Sequence, residues 1–315
     1  MKRLLFIVAL VFGVVSVAAA CGGGGEATPA GEVPTVDLPN TSEPPPSTEP
    51  EPSQPSDPEP GAEPEPGGES DPEPSEETFT YEVWFARGES LFVVHRTEPK
   101  VPAVATTAME FLLEGPSDTE AAAGISSAIP ADTTLLGVTV KDGIATVDLS
   151  AEYESGGGSL SMMMRLAQVV YTLTQFPTVQ KVSFELDGQP VEVFSGEGII
   201  LDEPVDRDDY EDLLPIILVS EPAIGARVES PVHIEGIANV FEANVTVEIL
   251  DAAGNVIAQD FTTASCGTGC FGDYALDLEF DVGEEQRGTI VVHDDDAAGT
   301  GTPPHAVEIP VTLVP

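Results

Sequence analysis

The chain has 315 residues, of which 11 are basic and 55 acidic, so its formal net charge is −44. A chain of this charge repels nucleic acid and anionic lipid surfaces within about a Debye length, roughly 8 to 10 Å at physiological salt. The composition therefore excludes DNA and RNA binding, and the length allows two domains beside a tail.

The N-terminus has the pattern of an export signal. A short positive segment, Met1-Lys2-Arg3, precedes an apolar run at 4–17 that is shorter than the roughly 20 residues of a membrane-spanning helix. Three alanines then lead to Cys21. This order resembles a bacterial lipoprotein signal, and the resemblance implies that the signal peptide 1–20 is removed and that Cys21 is lipidated. We therefore expect an extracytoplasmic protein that a lipid anchor holds at the cell membrane.

Residues 21–77 are predicted to form a disordered, acidic, proline-rich linker. Repeated Glu-Pro and Asp-Pro steps, as in EPEPSQPSDPEPGAEPEPGG, occur without any Lys or Arg. Proline removes backbone donors and like charges repel, so neither a helix nor a sheet is expected. In polyproline II geometry at ~3.1 Å per residue, the part from Glu26 onward reaches at most about 160 Å. The linker would hold a folded domain well away from the membrane.

Residues 78–200 are predicted to form an α+β domain. Its first part contains two strands, a helix and a loop, at 79–86, 91–95, 101–113 and 119–132 in that order. Its second part contains two hairpin strands, a further strand and a last short one, at 135–140, 144–149, 182–186 and 191–193. Asp142-Gly143 joins the hairpin strands, and this pair is typical of turns with positive φ at both central residues.

An amphipathic helix at 156–176 is the central element of this domain. Ser159 is its expected N-cap, and Pro177 ends it because proline disfavours helix before it. The apolar residues at helical spacing predict one core face, formed by Leu160, Met163, Met164, Ala167, Val170 and Tyr171. The opposite stripe is polar and consists of Ser161, Arg165, Gln168, Thr172 and Gln175.

Several separated motifs of this domain resemble the GerMN domain of sporulation and germination lipoproteins. They are Gly137-Val138, Asp142-Gly143, Val147-Asp148-Leu149-Ser150, the glycines at 156–158, the run QVVYTL at 168–173 and Asp187-Gly188. The resemblance covers roughly residues 79–200. It implies an α+β fold akin to the ring-building modules of envelope assemblies and no known enzymatic activity.

A charged connector at 201–214 leads to a second predicted domain at 215–315. Seven short strands without a helix predict an all-β sandwich, with strands at 216–219, 232–238, 245–250, 256–261, 274–280, 289–292 and 306–313. The predicted core residues are Val245, Val247, Ile249, Tyr274, Leu276, Leu278 and Phe280. The stretches SEPAIGARVESPVHIEGIANVFEANVTVEIL and GTGCFGDYALDLEF resemble the immunoglobulin-like domain that accompanies GerMN in germination-related lipoproteins.

Cys266 and Cys270 are predicted to form a disulfide that closes a glycine-rich loop between two strands. A redox role is the alternative, but the spacing is CxxxC and no helix follows to lower a thiol pKa. We predict no catalytic, cofactor-binding or metal-binding residues. The four histidines are isolated in sequence, and DRDDYED at 206 and HDDD at 293 lack the spacing of a calcium loop, so they would bind a cation only weakly.

The sequence predicts a non-enzymatic protein without a cofactor that makes protein contacts in a cell-envelope, sporulation or spore-germination assembly. The expected partners are the membrane, through the lipid anchor, and an envelope protein, with peptidoglycan as a further possibility. A cell-wall glycan binder is the alternative, although the single tryptophan, Trp84, lies outside the sandwich and aromatic residues are 6% of the chain. A wall hydrolase ranks third.

Overall fold

The computed structural model describes residues 77–295 and 303–315. The predicted signal peptide, Cys21 and all of the linker but its last residue lie outside the described residues. The described chain forms an α+β domain followed by a β-sandwich, so the predicted fold class of the two folded domains is confirmed. No helix in the described ranges is long and apolar enough to cross a membrane.

The first domain contains three α-helices and nine strands. The helices are α1 (Val104–Glu114), α2 (Asp118–Ala122) and α3 (Ser159–Leu173). The strands are β1 (Thr78–Arg87), β2 (Ser90–Pro99), β3 (Ile125–Ser126), β4 (Leu135–Lys141), β5 (Ile144–Leu149), β6 (Lys181–Leu186), β7 (Gln189–Pro190), β8 (Val193–Phe194) and β9 (Ile199–Ile200). The region predicted as a loop at 119–132 therefore holds most of α2 and all of β3, because Ser117 and Glu120 form a capping box that starts a short helix.

The strands of the first domain form two main sheets, with the orders β2-β1-β3 and β4-β5-β6-β7. The β4–β5 hairpin is confirmed, and Asp142 and Gly143 at its tip have φ values of 52° and 84°. Strand β6 returns parallel to β5, and α3 is the crossover between them. Helix α3 contacts β1 of the first sheet and β6 of the second. It therefore lies in the core between the two sheets.

This position explains why the predicted amphipathic pattern of α3 is wrong. From Met164 to Leu173 every side chain is buried, and the polar stripe includes Arg165 at 2% exposure and Gln168 and Thr172 at 0%. Leu160, predicted in the core, is 44% exposed at the start of the helix. The N-cap is Gly158 rather than Ser159. A helix packed on two sides has no solvent face, whatever the polarity of its residues.

The predicted connector at 201–214 packs against the first domain. Its residues Arg207–Leu213 form a 3-10 helix, and Tyr210 within it is buried. The Arg207 guanidinium lies 4.8 Å from the ring centre of Tyr171 and 5.6 Å from that of Trp84. Such cation–π contacts stabilise the guanidinium over the ring faces. The segment is therefore held on α3 and β1.

The described part of the second domain contains eight strands: β10 (Ile217–Glu221), β11 (Arg227–Val228), β12 (Val232–Ala238), β13 (Asn244–Leu250), β14 (Val256–Thr263), β15 (Gly272–Leu278), β16 (Gln286–His293) and β17 (Ala306–Leu313). Two sheets, β10-β12-β15 and β11-β17-β16-β13-β14, face each other. Val245, Val247 and Ile249 are fully buried between them, as predicted. The sequence analysis missed only the two-residue strand β11.

Candidate interaction surfaces

Polar side chains of α3, and of Gln175 just after its end, complete the hydrogen bonding of β1. Gln175 accepts from the Glu82 backbone N–H at 2.9 Å and donates to its carbonyl at 2.6 Å. Thr172 Oγ1 accepts from the Trp84 N–H at 3.1 Å, and Gln168 Nε2 donates to the Trp84 carbonyl at 3.1 Å. On the edge of β1 that is not paired with β2, strand β3 pairs only with residues 86 and 87. The helix side chains therefore take the place of a neighbouring strand.

Arg165 fixes the glycine-rich segment that precedes α3. Its guanidinium donates to the carbonyls of Tyr153, Ser155 and Gly156 at 2.5, 3.1 and 3.1 Å. In return, the Tyr153 hydroxyl donates to the Arg165 carbonyl at 2.8 Å. Burial lowers the pKa of Arg165, and no carboxylate of the described residues pairs with it. Arg165 is thus a structural cation neutralised by backbone dipoles rather than by an acid.

A small hairpin beside the start of α3 exposes an apolar pair. Val193 on β8 is directly opposite Ile200 on β9, and their exposed fractions are 53% and 61%. The hydroxyl of Ser159 bonds to Glu197 in the hairpin turn, which ties the turn to α3. Single exposed apolar side chains are ordinary, but an opposed pair forms a continuous patch. We refer to Val193 and Ile200 as the hairpin patch.

The two folded domains contact each other directly. Arg87 Nη2 donates to the Glu308 carbonyl at 3.0 Å, and burial lowers the pKa of Arg87. His95 Nδ1 lies 3.6 Å from Glu221 Oε1. Both contacts join the first sheet of one domain to the sandwich. The junction therefore includes polar contacts, and it also borders a cleft beside α2.

Comparison with known families assigns both domains. Residues 76–192 match the family model of a sporulation and spore germination domain, and residues 216–300 match that of an immunoglobulin-like domain of bacterial spore germination. The chain carries a GerMN domain followed by a germination-type immunoglobulin-like domain. Both predicted resemblances are confirmed.

Several of the similar proteins contain GerMN domains. The spore germination protein GerM of Bacillus subtilis is 30% identical over 112 residues, which is 35% of this chain and 30% of that protein. The first GerMN domain of GerM is 24% identical, with a TM-score of 0.34 over 42% of this chain and 99% of that structure. The tandem GerMN domains are 18% identical, with a TM-score of 0.35 over 75% and 60%. The chain thus spans about 30% of the length of the curated relative.

The structure joins Cys266 to Cys270 in the immunoglobulin-like domain, with their Cα atoms 5.9 Å apart. The disulfide closes the loop between β14 and β15. Gly267 in this loop lies so close to Ala243 that a Cβ there would be 2.6 Å from the Ala243 nitrogen. Only glycine fits that approach, so the bridge and the glycine together fix the loop against the end of the sandwich.

The predicted weak cation ligands are used in other contacts. Asp206 pairs with Lys181 at 2.8 Å, Asp294 with His305 at 2.7 Å, and Asp295 accepts from Asn244 at 2.6 Å. Within residues 77–295 and 303–315, no three His, Cys, Asp or Glu side chains converge as a metal site would require. These acidic residues have structural partners in the described part of the chain.

Helix α2 of the GerMN domain is held by a bidentate ion pair that gives a pH dependence. Arg96 donates to both Glu120 oxygens at 2.7 and 2.6 Å. Burial acts to raise the pKa of Glu120, but the bonds from Arg96 and Ser117 outweigh it, so the pKa lies below 4.5. A carboxyl with a lowered pKa stabilises the fold above its unfolded pKa, and this stabilisation is lost as the pH falls through the folded pKa.

We therefore expect Glu120→Gln to lower the free energy of unfolding of the GerMN domain by about 2 kcal/mol at pH 7. The difference from the unchanged protein should shrink as the pH falls below 4.5 and vanish in more acidic solution. Urea unfolding at a series of pH values measures it. Glu285→Gln, which removes an exposed partner of Arg227, is the matched control and should change little. A pH-independent difference would contradict the assignment.

Proposed function

We propose that this protein is lipid-anchored, extracytoplasmic and non-enzymatic, and that it makes protein contacts in an envelope assembly of sporulation or spore germination. Two adjacent matches support a role in sporulation or germination, since both family models describe domains of these processes. The sequence supports the anchor through the lipoprotein-like segment that ends at Cys21.

The hairpin patch is the observation that carries the proposal of a protein contact. Val193 and Ile200 are more than half exposed, although each could have been polar without disturbing the core. Acidic residues, among them Glu192 and Asp202, flank the pair in sequence. An apolar centre with a charged rim is the usual composition of a protein–protein interface. The partner surface is accordingly apolar with basic residues around it.

A binding role fits the chemistry of the described residues better than catalysis. The histidines His95, His233 and His305 each lie beside a carboxylate but in separate parts of the structure. General acid–base catalysis needs two differently tuned groups in one shaped pocket. The described residues offer no such pair, which supports a non-enzymatic protein.

The anchor is tested by replacing Cys21 with serine. We expect the unchanged protein in the membrane fraction and Cys21→Ser in the soluble extracytoplasmic or culture fraction, because acyl chains contribute ~0.8 kcal/mol per buried methylene. The double variant Cys266→Ser/Cys270→Ser is the control, since it removes the other two cysteines, which form the disulfide, without touching the anchor. Immunoblots of fractionated cells give the result. Retention of Cys21→Ser in the membrane fraction would contradict lipid anchoring at this residue.

A glycan-binding role is the second candidate, because the structure exposes aromatic side chains on the immunoglobulin-like domain. Phe241 and Phe261 in the immunoglobulin-like domain are 65% and 63% exposed. Phe261 borders an open hollow of about 370 Å³ that also presents Asn244, Thr246 and Gln259. Aromatic faces and amide or hydroxyl groups together suit sugar rings. Titration with chitin oligosaccharides tests this role: binding should disappear in Phe261→Ala and persist in Val256→Ala, and absence of binding removes the candidate.

A further inference from the structure

A cleft with a volume of about 570 Å³ lies between the two domains. Helix α2 of the GerMN domain forms one wall, and the outward side of β16 and β17 forms the other. Much of the lining is apolar, and its accessible part comes from Ala122, Ala123, Ile224 and Pro310. Clefts of this size and position are typical of sites for small ligands.

One basic side chain in this cleft has no partner. Arg287 on β16 is exposed and lines the cleft. Among the basic residues of the described ranges, only Arg287 and Lys141 form neither an ion pair nor a side-chain hydrogen bond. The net charge of the chain is −44, so carboxylates are abundant, yet none of the described residues pairs a carboxylate with this guanidinium. Arg287 is therefore available to an anion from outside.

The polar groups around Arg287 restrict the kind of anion. Asp118, at the start of α2, also lines the cleft and repels a second negative charge. Thr119, Thr289 and Thr312 offer hydroxyls that can donate to or accept from amide groups. The site thus suits a ligand with one negative charge, amide groups and small apolar substituents.

We propose that this cleft binds the C-terminal carboxylate of a peptide whose last residues are small and apolar. Arg287 binds the carboxylate through its planar donor fork, which matches the two oxygens. The apolar wall residues accept the terminal side chains, and the threonine hydroxyls bind peptide groups. Both domains contribute to the site, so the bound peptide also links them. This site is separate from the hairpin patch, and either can fail alone.

The test uses the full chain purified in detergent and three probes, observed by saturation-transfer NMR. The probes are N-acetyl-L-Ala-L-Ala, its C-terminal amide and N-acetyl-D-Ala-D-Ala. We expect a free acid to bind at least ten times more tightly than the amide, which has the same peptide backbone and side chains but no terminal charge. Preference for the L,L acid would indicate a protein terminus as the source, and preference for the D,D acid a wall peptide.

Two arginine variants test whether Arg287 binds the carboxylate of the probe. Arg287→Gln should weaken binding of the acid at least tenfold, whereas Arg227→Gln should bind as the unchanged protein does. Arg227 lies on the same side of the sheet, opposite Thr312, but outside the cleft and paired with Glu285. The circular dichroism spectrum of the full chain, with its β-sandwich, checks that each variant is folded. Equal binding of acid and amide, equal displacement by acetate alone, or unchanged affinity in Arg287→Gln would each overturn the proposal.

Discussion

Replacing Arg165 with methionine is expected to lower the free energy of unfolding of the GerMN domain by about 3 kcal/mol. Methionine fills a similar volume but leaves the carbonyls of Tyr153, Ser155 and Gly156 without their donor. Hydrogen bonds to a charged group contribute roughly 1.5–3 kcal/mol each, and water can replace only the outer ones. The segment before α3 would then lose its main attachment to the helix.

Trp84 makes this measurement specific to one domain. It is the only tryptophan of the chain and is buried in the GerMN domain, so its fluorescence in urea reports that domain alone. Lys100→Met in the same domain is the matched control, because its ion pair with Glu77 is exposed. Arg165→Lys should be intermediate, since an ammonium keeps the charge but not the spread of donors. If Arg165→Met were as stable as Lys100→Met, the proposed role of Arg165 would be wrong.

Replacing Gln168 with leucine is expected to lower the free energy of unfolding by about 3 kcal/mol, because one buried and one half-buried backbone group lose their partners. These are the Trp84 carbonyl, at 3.1 Å, and the Ala128 N–H, at 2.8 Å. Leucine has nearly the same size, so the loss reflects hydrogen bonding rather than packing. Thr172→Val removes only the acceptor of the Trp84 N–H, and we expect about half the effect.

Amide hydrogen exchange separates this mechanism from a general loss of stability. Under native conditions the Trp84 N–H should exchange faster in Thr172→Val, and the Ala128 N–H faster in Gln168→Leu, each beyond the change of neighbouring amides. Ser159→Ala is the control on the same helix, because it removes only an exposed hydrogen bond to Glu197 in the turn between β8 and β9. Uniform acceleration of all amides of the domain would show that the helix side chains do not act as a substitute strand.

Elements governed by local chemistry could be predicted from the sequence. Asp142-Gly143 requires a tight hairpin because few other pairs adopt positive φ at both positions. Val245, Val247 and Ile249 alternate with polar residues, and a period of two identifies the core face of a strand. The same reasoning predicted the sandwich and most of its strands.

The environment of α3 could not be predicted from periodicity. Gln168, Thr172 and Gln175 recur at helical spacing, and the pattern does not reveal whether water or an unpaired strand edge lies opposite. One signal was present: the stripe carries amides and hydroxyls with a single arginine and no Lys or Glu, whereas solvent-facing stripes are usually rich in charge. Side chains that both donate and accept suit a backbone edge.

The candidate sites depend on contacts that are distant in sequence. The hairpin patch is apparent only once β8 and β9 pair, and the cleft requires α2 to lie beside β16 and β17. No sequence motif distinguishes Arg287. It stands out in the structure because the other basic residues near the junction, Arg87 and Arg96, have partners. Sequence patterns report neighbours along the chain, so they could not have identified these sites.

The most direct test of the proposed function is photo-cross-linking of the anchored protein in its native cells. A benzophenone amino acid replaces Ile200 in the hairpin patch, and in a second variant it replaces the exposed Lys141 at the hairpin tip of the same domain. The proposal predicts one discrete adduct with an envelope protein from position 200 and none from position 141. Absence of an adduct at position 200, or the same set of adducts from both positions, would contradict a specific protein contact at this surface.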